Sequence, residues 1–303
     1  MYLLFQNKPR IAAAAAAGGQ RELGGPLGSA FDVGPSAVVP VKDKNNGTKN
    51  IPSKDDMFGQ RTWEQAESML QKLALDAALE KAGMEPGALQ CVFAGDLLGQ
   101  SIASTFGLLE HERPLIGLYG ACSTMAESLL LAAAFVNAGY VEAAAAVTSS
   151  HFASAERHFR MPLAYGSQKP PTAGRTATAA GAVLVSGGGM PVNVESAYIG
   201  RVVDGGITDV SDMGNAMAPA AHDTLTGFFS ASRTNPADYD LILTGDLGLF
   251  GRRTLIELCK RRGIDLGEHY HDCGLMLFDT TDKDVGAGGS GCGWGAMTAG
   301  GRW

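Results

Sequence analysis

Cys122 stands in Gly120-Ala121-Cys122-Ser123-Thr124, after an apolar run from Leu115 to Tyr119 and just before a helical stretch from Met125 to Asn137. A thiol at that point faces the positive end of a helix dipole, which favours thiolate and suits an acyl-transfer nucleophile. Thr124 and Glu127, three residues apart, read as a capping box that opens the helix. The same position also fits a small buried residue in a crowded turn, because unpaired cysteine is commonly buried.

A nucleophilic cysteine needs a base. His151 follows Thr148-Ser149-Ser150 at a predicted strand end, the carboxyl edge at which open α/β sheets bind ligands. His271, within His269-Tyr270-His271-Asp272-Cys273-Gly274, marks another predicted strand end. His111, His158 and His222 read as surface or helix residues. No helical i, i+4 ligand pair or cysteine pair supports a metal site at His269, His271 and Asp272, and no cofactor is expected. Arg157, Arg160, Gln168, Lys169 and Arg175 fall in a long insertion between two strands. That run is either a solvated loop or a mouth lined with carboxylate-binding donors. Gly286-Ala287-Gly288-Gly289-Ser290-Gly291 satisfies the G-x-G-x-x-G string but lacks the following long helix and acidic residue of a dinucleotide site. These glycines are expected instead to let the backbone approach the catalytic or ligand cavity closely.

The elements that would position these residues are set by an internal repeat. Glu85 to Leu97 aligns without a gap on Asn235 to Leu247, ending both times in Gly-Asp-Leu, at an offset of 150. Upstream, Asp56-Met57 matches Asp212-Met213 to within a few residues, each predicted to open an Ala-rich helix. In the first copy Trp63, Ala66, Leu70, Leu73 and Ala77 share one helical face. Each copy reads as helix, turn, buried strand, helix, strand, an alternation that predicts a mainly parallel sheet covered by helices. Two duplicated βαβαβαββ-type α/β halves, 1–190 with an insertion at 150–180 and 191–303, would form a five-layer α-β-α-β-α sandwich.

Composition excludes several classes. The 303 residues are 45% apolar and 18% charged, which rules out disorder and coiled coil. The net charge is −7, and no basic stripe offers itself to nucleic acid. Five cysteines, never in a C-x-x-C pair, fit neither a disulfide framework nor a zinc site. The apolar run Ile11 to Ala17 is a poor imitation of a signal peptide, and nothing approaches the length of a membrane span.

Several long strings in order resemble the stage V sporulation protein AD family, thiolase-like proteins of endospore-forming bacteria. They include Ala-Gly-Asp-Leu-Leu (94–98), Gly-Ala-Cys-Ser-Thr (120–124), Thr-Ser-Ser-His (148–151), Asp-Met-Gly-Asn-Ala-Met-Ala-Pro-Ala-Ala (212–221) and His-Asp-Cys-Gly-Leu-Met (271–276). The resemblance implies the thiolase fold. It also implies a part in moving dipicolinic acid, pyridine-2,6-dicarboxylate, into the forespore and out at germination. The subunit would be held at the spore inner membrane by other membrane subunits of the same sporulation complex. In the wider superfamily a cysteine acts with a histidine at a strand end of the second half. Cys122 matches that nucleophile, but the strand end reads Thr244-Gly245-Asp246-Leu247, and Gly291-Cys292-Gly293 stands near the usual asparagine position.

Binding is therefore favoured over catalysis, with Cys122, Ser123, His151, Arg160, Lys169, Asp246 and His271 as candidate ligand-binding residues. The alternative is a thiolase or β-ketoacyl synthase-type acyltransferase using Cys122. Calcium is open as a counter-ion of the ligand, and so is a homodimer. By the repeat, the partner of the strand ending at Ser186 would close well past Trp303. The second half is thus expected to lack its last helix and two strands, and to be less stable for it.

Overall fold

The computed structural model describes residues 1–36, 38–43, 47–52, 55–159, 169–188 and 192–291. The chain begins with β1 (Tyr2–Leu4), β2 (Arg10–Gly18), α1 (Gln20–Leu23), β3 (Val38–Asp43), β4 (Gly47–Pro52) and α2 (Trp63–Ala82). It continues through β5 (Cys91–Asp96), α3 (Ile102–Gly107), β6 (Leu115–Gly117), α4 (Thr124–Asn137), β7 (Ala143–Ser150), α5 (Phe152–Phe159), β8 (Arg175–Thr176) and β9 (Ala179–Ser186). The remaining elements are β10 (Ser196–Tyr198), α6 (Met213–Ser232), β11 (Ile242–Thr244), α7 (Gly248–Arg261), β12 (Tyr270–Asp272), α8 (Cys273–Leu277) and β13 (Gly289–Ser290).

These elements gather into two compact units. The N-terminal unit draws on the described residues of Phe5–Gly166, Thr176–Glu195 and Gly291–Trp303. The C-terminal unit draws on those of Met1–Leu4, Ser167–Arg175 and Ser196–Ser290. Among the described residues no helix is long and apolar enough to cross a membrane.

The N-terminal unit is built on a five-stranded sheet in the order β2-β9-β7-β5-β6. Strands covered on both faces need apolar residues at every position, which is why β2 carries six consecutive alanines and β7 four. On one face Ala13, Ala15, Ala145 and Leu184 pack with Leu70 and Ala74 of α2. On the other, Phe93 of β5 meets Phe135 of α4 edge-on, with ring centroids 4.9 Å apart. Phe93 and Leu70 are fully buried; each such side chain contributes about 1.5–3 kcal/mol of burial.

The sheet is mixed rather than mainly parallel. β5 runs parallel to β6 and β7, whereas β9 is antiparallel to both β7 and β2. The reason lies in the connection. β9 starts where β7 ends, with Ala179 opposite Ser150, so the connection returns the chain to the same end of the sheet, whereas a parallel crossover has to carry it to the opposite end.

The buried stripe of α2 is also rotated from the expected one. Ala66, Glu67, Leu70, Gln71, Ala74, Leu75, Ala78 and Leu79 are buried, while Trp63, Leu73 and Ala77 are only partly so. The stripe takes in two polar residues, and the apolar pattern had pointed away from them.

The internal repeat holds at the level of elements. α2 and α6 are both 20 residues long and begin 150 positions apart. Each ends on a left-handed residue, Gly83 and Arg233, and each is followed by a 3-10 turn, Pro86–Ala88 and Pro236–Asp238. Then comes a strand paired in parallel with the next, β5 with β6 and β11 with β12. The upstream match fails: α6 does open at Met213, capped by Asp212, but α2 opens only at Trp63, where the Thr62 hydroxyl accepts from the Gln65 N–H. The C-terminal unit packs α6 and α7 around Phe229, Leu247, Leu255 and Tyr270.

Candidate functional site

Cys122 lies in a 3-10 turn, Ala121–Ser123, that leads into α4. Its side chain is half-buried. Ala121, just before it, takes a φ of 48°, a left-handed conformation that costs a non-glycine residue about 1–2 kcal/mol. The turn turns the chain sharply out of β6 and presents Cys122 at the first turn of a 14-residue helix. A Cβ at Gly120 would lie 2.5 Å from Glu127 Oε2 and 2.6 Å from Ser123 Oγ, so only glycine lets these side chains close over the turn.

The expected capping box is absent. Thr124 is the first helical residue, fully buried, and its hydroxyl has no hydrogen-bond partner among the described residues. The Ser123 hydroxyl donates instead to the Gly120 carbonyl at 2.8 Å. Cys91, Cys259 and Cys273 are buried, and burial pushes the Cys259 thiol up to about 11.

His151 is 3% exposed and ends β7, as the sequence suggests. Its ring is fully engaged. Nδ1 accepts from the Ala153 N–H at 3.2 Å and Nε2 lies 3.0 Å from the Asp56 carbonyl oxygen. An acceptor at one nitrogen and a donor at the other define the neutral Nε2–H tautomer. Burial holds its pKa below the usual histidine value, with the Asp56 carbonyl pulling the other way. His111 is not a surface residue either: it is 5% exposed, and Nε2 meets Asp76 Oδ1 at 2.8 Å.

The C-terminal unit contains Asp246, His271 and Lys169. Asp246 is buried with a φ of 61°, and it sits in the Gly-Asp-Leu turn between β11 and α7. That turn is pinned by a different carboxylate. Asp272 accepts from Leu247 N–H at 3.1 Å, Gly248 N–H at 2.9 Å, Gly274 N–H at 3.1 Å and the Thr244 hydroxyl at 2.8 Å. Four donors call for the anion, although burial pushes the Asp272 carboxyl up. Neighbouring His271 is exposed, and Lys169 is partly buried.

The glycine run packs backbone against backbone. Gly286 and Gly288 take φ values of 65° and 133°, and a Cβ at Gly288 would meet the Gly274 carbonyl oxygen at 2.8 Å. Arg157 pairs with Glu64 and stacks over the Trp63 ring at 5.4 Å. Arg160, Gln168 and Cys292 lie outside the described residues.

Within the N-terminal unit the sequence-predicted Cys122, Ser123 and His151 occur together, but His151 is committed elsewhere. Sequence reasoning missed a buried polar set, Glu67, Gln71, Ser104, Ser149 and Ser154. The one signal for it was Glu67 and Gln71, four apart, on the line that continues through Ala74 and Ala78.

Comparison with solved structures places the architecture among the thiolase-like condensing enzymes. OleA of Xanthomonas campestris, in a variant bound to cerulenin, superposes with a TM-score of 0.61 over 98% of this chain and 88% of that one, at 13% identity. For 3-oxoacyl-[acyl-carrier-protein] synthase III of Aquifex aeolicus the values are 0.56, 96%, 89% and 11%. The tetronic acid condensing enzyme AbyA1 gives 0.55, 96%, 89% and 12%. The fold is therefore thiolase-like. Within that class, residues 2–302 match the model of stage V sporulation protein AD (SpoVAD). The chain is also 40% identical over 290 residues to stage V sporulation protein AD of Bacillus subtilis strain 168, across 95% of this chain and 80% of that protein. It belongs to the stage V sporulation protein AD family.

Proposed function

We propose that this sporulation protein uses its thiolase-like fold to bind dipicolinic acid for uptake into the developing spore and release in germination, without turning a substrate over. The observation that carries the reading is His151. The histidine best placed by sequence to serve as base has both ring nitrogens occupied by backbone partners, and a neutral, buried imidazole so tied cannot take a proton from a thiol without first breaking a bond. The turn that carries Cys122 and Ser123 lies at the N-terminal end of α4, where the positive end of the helix dipole favours a carboxylate. Other subunits of the same sporulation complex would supply the attachment to the spore inner membrane.

Isothermal titration of the full chain with sodium dipicolinate tests this. Saturable binding that survives Cys122→Ala within a few-fold is expected, and no saturable heat would sink the proposal. Lys169→Ala and His271→Ala, titrated in the same way, report whether either side chain contributes. A second reading keeps one observation in its favour: the half-buried Cys122 follows a left-handed alanine, a backbone arrangement found where strain serves chemistry. Rapid, selective iodoacetamide labelling of Cys122 near neutral pH, blocked by an acyl-CoA, would favour acyl transfer instead.

A further inference from the structure

The N-terminal unit holds a buried polar network that belongs neither to the Cys122 turn nor to the apolar core. Glu67 is 5% exposed. The Ser149 hydroxyl donates to its Oε1 at 2.9 Å, and Ser154 Oγ lies 3.3 Å from its Oε2. Gln71 Nε2 reaches Ser149 Oγ, Ser104 Oγ and the Gly95 carbonyl. Asp96, the last residue of β5, accepts from the Gly99 N–H at 2.6 Å and from the Ser104 amide and hydroxyl at 3.4 Å each.

The two carboxyls sit in different surroundings. Ser154 has one hydroxyl hydrogen, divided between the His151 carbonyl at 3.0 Å and Glu67 Oε2 at 3.3 Å, so it gives a charged Glu67 little support. Asp96 has the Gly99 N–H and the Ser104 amide and hydroxyl as donors. The charged or titratable groups around Glu67 agree. They are Asp96 from β5, Glu64 from its own helix, Arg157 and His158 from α5, and His151 just before α5; α3 contributes Ala103 and Ser104. Arg157 is paired with Glu64 and burial holds the His151 imidazole below its usual value, so neither is a free cation to balance a buried charge at Glu67.

We propose that Glu67 and Asp96 form a proton-operated latch on the segment Leu97–Ser101. That segment is strained, with φ of 50° at Gln100 and 68° at Ser101, and conformations of this kind persist only where the surroundings hold them. Asp96 holds it through Gly99. The segment walls a cavity of about 160 Å³, with Leu98 and Gly99 on one side and Glu64, Glu67, Ser154 and Arg157 on the other. While Glu67 keeps its proton the segment stays closed. Loss of the proton sets a buried negative charge against Asp96 and releases the segment from the cavity. Burial, reinforced by Asp96, pushes the Glu67 carboxyl up to about 7, which brings the transition into the neutral range.

Carbon-13 titration of the Glu67 carboxyl in the full chain reads the proton directly, with a midpoint near 7 expected. Hydrogen exchange at the Gly99 and Ser104 amides, corrected for intrinsic rate, should lose protection by up to about tenfold per pH unit between the free-carboxyl value of 4.5 and that midpoint, and level off above it. Glu67→Gln, which keeps the shape and donor of the acid, should hold protection constant to pH 8.5. A Glu67 midpoint below 5 overturns the latch, and so does the same pH dependence of exchange in wild type and Glu67→Gln. The carboxyl titration needs no variant, so the proposal stays testable if Glu67→Gln fails to fold.

Discussion

His151 ties the Asp56 carbonyl to the first turn of α5 through opposite edges of one ring. Removing it strands a buried acceptor and a buried N–H and leaves a hole. His151→Ala should therefore cost about 2–3 kcal/mol in a denaturant melt, while the rate of Cys122 alkylation stays unchanged. A fall in that rate would show that His151 does activate the thiol. The place of His151 at a strand end was legible in the sequence, but its role was not. Its Asp56 partner is a backbone carbonyl 95 positions away, and backbone groups carry no residue-type signal. The cap of α4 misled for a related reason. Thr124 and Glu127 have the right spacing, but a 3-10 turn shifts the helix start by one residue and buries the threonine.

Gly83 and Arg233 occupy equivalent ends of α2 and α6, and both take left-handed φ, 61° and 60°. Glycine does so freely; arginine pays a steric penalty of about 1 kcal/mol. Arg233→Gly should stabilise the chain by up to about 0.5 kcal/mol after allowing for the looser unfolded state, seen as a slightly higher melting temperature. The reverse change, Gly83→Arg, should lower it. The repeat itself was readable because Pro-to-Gly spacing and turn chemistry survive divergence. The rotation of α2 was not, since a stripe containing Glu67 and Gln71 looks solvent-facing until their serine partners on β7, α3 and α5 are placed around them. Strand direction was likewise hidden, because β7 and β9 are equally apolar whether they run parallel or antiparallel.

At the scale of the molecule, two buried groups push the pH dependence of stability in opposite senses. Glu67 has a raised folded pKa, so its contribution is fully present below its unfolded value of 4.5 and is gone above about 7. His151 has a lowered folded pKa, so its contribution is present above its unfolded value of 6.5 and is lost as pH falls through its folded one. Between these limits the two slopes oppose. In denaturant melts from pH 5 to 7, Glu67→Gln should gain stability with rising pH relative to wild type. His151→Gln should lose it, and parallel profiles for all three proteins would refute both assignments. The thiolase-like class was legible from the duplication and the quoted strings, because both survive in long, ordered blocks. The membership of the units was not: Met1–Leu4 joins the C-terminal unit, while the next strand is the edge of the N-terminal sheet.

That edge strand also governs the order of assembly during synthesis. β2 is made well before its strand neighbour among the described residues, β9, which spans Ala179–Ser186. β1 waits still longer, for Ser196–Tyr198. Residues 19–178 must be made before the row of six alanines gains that partner, and pairings of such long sequence separation form slowly. A nascent chain stalled before residue 179 would display that strand to whatever chaperone or neighbouring chain is at hand.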